Sequence, residues 1–129
     1  MTWDEADVAA ARQRLVAVAA HLPGVETADD HGHTGFELRG KRIGWLLAGH
    51  HGDGRLALWV KAPAGEQDAL VSGDPGRYFV PPYLGHRGWV GALVDRASDP
   101  DWPEITALLE QAWRMTAGKR AVAAYDAAR

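Results

Sequence analysis

Apolar residues recur at steps of three and four along the first part of the chain. This stripe comprises Val8, Ala11, Leu15, Val18 and Leu22. Such spacing predicts an amphipathic helix from about residue 3 to residue 21. Thr2 and Glu5 have the spacing of a capping box at its start, and Pro23-Gly24 is expected to end it.

The pattern then changes to an alternation of apolar and polar residues, which predicts β-strands. Three strands are indicated between residues 36 and 61, joined by a tight turn at Gly40-Lys41 and by a hairpin loop at residues 50–54. If helices cover one face, alternation places on that face Phe36, Leu38, Ile43, Trp45, Leu47, Leu56, Leu58 and Val60. The outer face is then predicted to carry Glu37, Arg39, Arg42, Gly44, Leu46, Arg55, Ala57, Trp59 and Lys61.

The remainder of the chain predicts a short helix over residues 66–71 ended by Gly73, then strands over residues 77–80 and 89–94. Asp99-Pro100 or Asp101 is expected to cap a long final helix, with a break at Gly118 before a last turn. This order of elements predicts an α+β fold. In it, a meandering antiparallel sheet and the N- and C-terminal helices form a two-layer sandwich, with the helices on one face.

Residues 78–94 combine aromatic side chains with two prolines and several glycines, and two interpretations stand side by side. In the structural one, Pro81-Pro82 ends a strand because proline fixes φ and lacks a backbone donor, and Trp89 fills the space between the sheet and the last helix. In the functional one, a cleft for a planar or anionic ligand is lined by Tyr83, His86, Arg87 and Trp89, together with Lys119 and Arg120 at a helix end.

Four motifs occur in a characteristic order. They are Leu22-Pro23-Gly24-Val25-Glu26, Phe36-x-Leu38-x-Gly40-Lys41, residues 78–94, and Glu110-x-x-Trp113-Arg114 followed by Lys119-Arg120-x-Val122-x-x-Tyr125-Asp126. On these motifs the chain resembles the YjbR/MmcQ-like family as one domain spanning residues 1–129. The resemblance implies a frataxin-like (CyaY-like) sandwich and a DNA-binding function, and it supplies no catalytic residues.

Charge and composition narrow the classes of function. The chain has 129 residues, enough for one domain with one core, and a formal charge of -3 from 14 basic and 17 acidic residues. It therefore lacks the global positive field that favours duplex DNA, although residues 37–90 carry seven Lys or Arg against five Asp or Glu. The absence of cysteine suits a reducing compartment. With no signal peptide and no long apolar run visible, we expect a cytoplasmic protein without a membrane partner.

The predicted outer face is the best candidate for a nucleic-acid interface. Arg39, Arg42, Arg55 and Lys61 are expected to contact phosphates, and Trp59 is expected to stack on bases. The alternative is a solvated sheet face on which long side chains cover an exposed tryptophan.

Metal and catalytic chemistry receive little support. Asp29, Asp30, His31 and His33 cluster, as do His50, His51 and Asp53, but these are interpreted as polar loop residues, and no metal or cofactor is predicted. Neither serine lies in a nucleophile motif. The sequence thus favours a non-catalytic binding protein, DNA-binding by resemblance. The alternative is a small-molecule or protein-binding module that uses the Tyr83/Arg87/Trp89 cleft or the outer face, and an enzyme ranks third.

Overall fold

The computed structural model describes residues 2–129 and consists of an open six-stranded antiparallel sheet with four helices. The strands are β1 (Val25–Asp30), β2 (His33–Leu38), β3 (Lys41–Ala48), β4 (Leu56–Val60), β5 (Tyr78–Phe79) and β6 (Val90–Leu93). The helices are α1 (Glu5–Ala19), α2 (Glu66–Gly73), α3 (Trp102–Ala117) and α4 (Lys119–Ala127). The strand order is β1-β2-β3-β4-β6-β5. The predicted α+β fold is confirmed.

The main core lies between the sheet and helices α1 and α3. Leu15, Phe36, Leu58, Leu109 and Trp113 are all fully buried there. Burying such a side chain contributes about 1.5–3 kcal/mol. The polar edge of the Trp113 indole is satisfied as well, because its Nε1–H donates to the carbonyl of Pro23 at 2.9 Å. The loop after α1 is thereby fastened to the C-terminal part of α3.

Helix α1 begins at a cap that the sequence did not predict. The carboxylate of Asp4 accepts the backbone N–H of Asp7, and the carboxylate of Asp7 accepts the backbone N–H of Asp4, both at 3.1 Å. The expected capping box of Thr2 and Glu5 is therefore wrong. The observed cap lies two residues later, and Asp7, which is buried, has a second role: its carboxylate also accepts the backbone N–H and the Nε–H of Arg96.

A β-bulge in β3 changes the register of the sheet. Phe36 pairs with Gly44, whereas Glu37 pairs with Arg42, so Ile43 has no direct partner on β2. Ile43 is nevertheless fully buried. A bulge of this kind inserts one extra residue and therefore reverses the facing of every later side chain on its strand.

The bulge overturns part of the predicted facing. Leu46, expected on the outer face, is buried in the main core, and a side chain on Gly44 would contact Leu109 of α3 at 3.5 Å. Trp45 and Leu47, expected to face the helices, belong instead to the apolar cluster of the outer face. Strict alternation from Ile43 onward was the wrong assumption.

A second apolar cluster covers the outer face of the sheet. Its buried members are Leu47, Ala57, Trp59 and Trp89, with Trp45, Phe79, Leu84 and Leu93 packed around them. Trp89 thus packs on the outer face and not between the sheet and the last helix, which corrects the prediction. The 78–94 segment reaches this position because Gln67 of α2 donates to the carbonyls of Gly85 (2.8 Å) and Trp89 (2.6 Å).

The remaining elements agree with the predictions except at one edge. Helix α2, strands β5 and β6, the N-cap of α3 at Asp101 and the break at Gly118 are confirmed. Strand β1 was missed, because five of its six residues are exposed and its sequence has no apolar alternation. Within residues 2–129, no helix has the length and apolar character required to cross a bilayer.

Candidate functional site

The loop after β5 turns sharply and leaves one aromatic ring in solvent. Pro81 is buried, and the carbonyls of Pro81 and Pro82 accept the N–H groups of Gly85 (2.9 Å) and Leu84 (2.7 Å). Between them Tyr83 adopts a left-handed backbone with φ of 66° and is 72% exposed. Non-glycine residues seldom adopt this conformation. These two hydrogen bonds close the turn that presents the Tyr83 ring to solvent.

A cavity of about 460 Å³ opens beside this loop, and we call it the basic cavity. It is lined by Lys41, Arg42, Trp45, Lys61, Ala62, Leu84, Arg87, Trp89 and Met115. Four of these residues carry positive charge and none carries a carboxylate. The cavity joins two residues of the predicted nucleic-acid set, Arg42 and Lys61, to two of the predicted cleft, Arg87 and Trp89.

The cations of the basic cavity differ in how far they are engaged. Arg42 forms an ion pair with Glu37 at 2.8 Å, and its guanidinium carbon lies 3.7 Å from the centre of the Trp45 ring. Lys61 Nζ donates to the Thr116 hydroxyl at 3.3 Å. Lys41 and Arg87 are exposed and form no salt bridge with any residue between 2 and 129. Much of the positive charge here is therefore uncompensated.

A second cavity of about 270 Å³, which we call the aromatic cavity, lies on the same face. Its walls are Asp30, His33, Trp45, Leu47, His50, Trp59, Tyr83 and Leu84. Five of the eight are rings, and edge-on contacts join His50 to Trp59 at 4.9 Å and to Tyr83 at 6.5 Å between ring centres. Trp45 and Leu84 line both cavities.

The histidines of the aromatic cavity have defined hydrogen-bonding states. Nδ1 of His33 accepts the backbone N–H of Ala48 at 3.1 Å, so the neutral ring carries its proton on Nε2. Burial lowers the pKa of His50, and the neighbouring His51 and His33 lower it further. In the described part of the chain, no three His, Asp or Glu side chains are grouped so that they would hold one metal ion.

The predicted nucleic-acid residues do not share one surface. Trp59 faces outward as predicted but is only 3% exposed, because the outer-face cluster and the ring of His50 cover it. Stacking of bases on Trp59 would require this cover to move. Arg39 lies in the β2–β3 turn and donates to the carbonyls of Thr116 (3.3 Å) and Ala117 (2.9 Å) at the end of α3. Arg55 stacks on the ring of Phe79, with Cζ 4.0 Å from its centre.

The predicted cleft is only partly assembled. Arg87 and Trp89 line the basic cavity and Tyr83 lines the aromatic cavity, but His86 lines neither. Lys119 and Arg120 occupy the first turn of α4 and also lie outside both cavities. The sequence reasoning missed Lys41, Trp45 and His50 as cavity residues. The apolar pattern carried no signal for Trp45, because the bulge turns it outward, opposite Trp59 on β4.

Two of the most strongly perturbed titratable groups lie away from both cavities. Hydrogen bonds from the side chain and the backbone N–H of Arg96 hold the pKa of Asp7 well below its ordinary value. Burial and a short hydrogen bond to Glu104 raise the pKa of Tyr78. Both groups fasten one element to another.

Comparison with known proteins identifies one relationship. No curated protein and no solved structure matches the chain significantly. A family model does match: the YjbR model aligns with residues 20–115, which include every strand, α2 and most of α3. Since this match covers most of the chain, the protein belongs to the YjbR family.

Proposed function

We propose that this protein is a non-catalytic binding protein whose ligand is a small, planar, anionic molecule held in the basic cavity. One observation carries the proposal: four cationic side chains and two tryptophans line the same cavity, and no carboxylate does. In a chain of net charge -3, such a local excess of positive charge is not a reflection of composition.

The wall of the cavity favours a planar anion over a spherical one. Arg87 supplies an exposed guanidinium group, which can bind carboxylate or phosphate through paired N–H donors, and Arg42, which is paired with Glu37, adds positive charge to the wall. Trp45, Trp89 and Leu84 supply apolar surface to the same wall. Polar groups that fix orientation against a largely apolar wall are typical of small-molecule sites.

The positions of the perturbed groups support binding over catalysis. Catalytic sites usually gather groups with shifted pKa values in one cleft. Here Asp7 and Tyr78 are engaged with Arg96 and Glu104, outside both cavities. The lowered pKa of His50 has burial as its main cause and involves no neighbouring nucleophile.

Isothermal titration with inorganic phosphate and benzoate tests the proposal. Both anions should bind and raise Tm by mass action, and benzoate should bind more tightly than phosphate because its flat ring can pack on the tryptophans. Arg87→Ala should weaken binding about tenfold, the value of one charge-assisted hydrogen bond. Arg120→Ala removes the same charge outside the cavity and serves as the matched control. Equal losses in both variants would point to a general charge effect, and no binding by the wild type would end the proposal.

Nucleic-acid binding, implied by the family resemblance, is the second candidate. It is favoured because Arg42 and Lys61 open into one positively charged cavity. Single-stranded and duplex oligonucleotides should then bind with an affinity that falls steeply with salt. Affinity that is independent of salt, or absent at low salt, would exclude this candidate.

We also propose a cytoplasmic location, which the lack of cysteine suits.

A further inference from the structure

The aromatic cavity has the features of a site for an uncharged flat ring. His33, His50, Trp59 and Tyr83 surround about 270 Å³, and each presents an aromatic face or edge. Tyr83 stands 72% exposed on a left-handed backbone with φ of 66°. The Tyr83 ring lies beside an apolar cavity, and its backbone conformation carries an energetic cost. A ring exposed in this way is available for stacking on a ligand.

Polar groups at this cavity match the edge of a heterocyclic base. The proton on Nε2 of neutral His33 is a donor, because Nδ1 is already bonded to Ala48. Asp30 contributes acceptor oxygens, and the Tyr83 hydroxyl both donates and accepts. A nucleobase offers donors and acceptors on its edge and a flat face for stacking, which is how proteins hold unpaired bases.

The two cavities differ in charge, and this difference would orient a ligand that spans both. They adjoin at Trp45 and Leu84, which line both. The basic cavity presents Lys41, Arg42, Lys61 and Arg87, whereas the wall of the aromatic cavity contains no Lys or Arg and one carboxylate, that of Asp30. A ligand that lies across Trp45 with an anionic group at one end and a neutral ring at the other complements both ends, and the reverse orientation would place its anion beside Asp30.

We propose that the two cavities bind the two ends of one nucleoside phosphate, with the phosphate in the basic cavity and the base in the aromatic cavity. This inference rests on the proposed function, since the basic cavity must accept an anion. Stacking on Tyr83 and contact with His33 then add affinity that phosphate alone does not obtain. The shared chemistry is that of a free nucleotide or of the phosphorylated end of a nucleic-acid strand.

Titration of the full chain with adenosine 5′-monophosphate, adenosine and inorganic phosphate tests the inference. The nucleotide should bind at least about tenfold more tightly than phosphate, because stacking of one base has that effect. Tyr83→Asn should remove most of this gain while leaving phosphate affinity unchanged. Asparagine tolerates the left-handed backbone, so the loop should keep its fold. Arg87→Ala should weaken binding of the nucleotide and of phosphate alike.

The possible failures are distinct. If phosphate and the nucleotide bind equally well, and Arg87→Ala weakens both while Tyr83→Asn changes neither, the inference fails and the proposed function stands. If neither probe binds, both fail. A 5′-phosphorylated oligonucleotide separates the two sources: tighter binding of the mononucleotide identifies a free nucleotide, and tighter binding of the oligonucleotide identifies a strand end.

Discussion

The guanidinium of Arg42 occupies the volume that a side chain on Gly35 would fill. A Cβ at Gly35 would lie 1.5 Å from Nη1 of Arg42, and the same guanidinium stacks on Trp45, with Cζ 3.7 Å from the ring centre. Glycine on β2 therefore permits an arginine on β3 to lie across the outer face of the sheet. The wall of the basic cavity depends on this close approach.

Gly35→Ala should alter binding more than stability. The backbone of Gly35 does not have positive φ, so alanine is tolerated there, and the displaced group is the end of a flexible side chain. We expect the free energy of unfolding to change by less than about 1 kcal/mol. Phosphate affinity should fall several-fold, because Arg42 loses its place on Trp45. Calorimetry measures both quantities, and wild-type affinity in this variant would contradict the role given to Arg42.

Gly91→Ala should destabilise the outer-face cluster. A Cβ at Gly91 would meet three ring atoms of Phe79 at 2.4–2.6 Å, and the guanidinium of Arg55 stacks on the same ring. Overpacking of this kind costs about 1–3 kcal/mol. Urea denaturation should show the loss. Gly73→Ala, where a Cβ would meet nothing within 4 Å, is the control and should remain close to wild type. Equal stability of the two variants would show that Phe79 moves freely.

Arg39→Ala should weaken the end of α3 without affecting anion binding. Arg39 donates to the carbonyls of Thr116 and Ala117, where a cation complements the helix dipole. The loss should be about 0.3–1 kcal/mol, measured by thermal and urea unfolding. Phosphate titration of the same variant should give the wild-type Kd, since Arg39 lies outside the basic cavity. A weakened Kd with unchanged Tm would instead favour the interface role predicted from sequence.

Asp7 should govern part of the acid sensitivity of the protein. Hydrogen bonds from Arg96 hold its pKa well below the ordinary value of 3.8. The folded state therefore binds this proton less readily than the unfolded chain does. The stabilisation that ionised Asp7 contributes is complete above the pKa that Asp7 has in the unfolded chain. It is lost as the pH falls below that pKa.

Unfolding measured from pH 6 to pH 2 checks this expectation for Asp7. Asp7→Asn should lower Tm at pH 6 and should flatten the decline of Tm below about pH 4. Glu5→Gln removes an exposed carboxylate from the same helical turn and should retain the wild-type profile. Parallel Tm profiles for wild type and Asp7→Asn would show that other carboxylates dominate the acid limb.

Periodicity was sufficient for the helices but not for the faces of the sheet. The stripe from Val8 to Leu22 predicted α1 because a helix that buries one face repeats its apolar residues. Leu46 and Trp45 were assigned to the wrong faces, because a bulge at Ile43 leaves no mark in the apolar pattern of β3. Strand β1 was missed because an exposed edge strand has no core face to impose alternation.

The site was predictable only in pieces. Arg87 and Trp89 were predicted to line a cleft, and they do line the basic cavity. The joining of Arg42 and Lys61 to Arg87 depends on how the 78–94 segment folds back over the sheet, which in turn depends on the hydrogen bonds of Gln67. Such long-range contacts have no local sequence signal. Lys119 and Arg120 were grouped with the cleft by charge alone, and the break at Gly118 places them elsewhere.

The exposed acidic strand at the edge of the sheet has a consequence for the behaviour of the protein at high concentration. An open strand edge is a template on which another chain can add. At the opposite edge β5 has only two residues, so β1 is the long open edge. Asp29 on β1 is paired with Arg12, but Glu26 and Asp30 are exposed carboxylates, so two copies that approached edge to edge would bring like charges together. At neutral pH this repulsion opposes pairing of two β1 edges, and so it opposes aggregation through the unpaired backbone groups of β1.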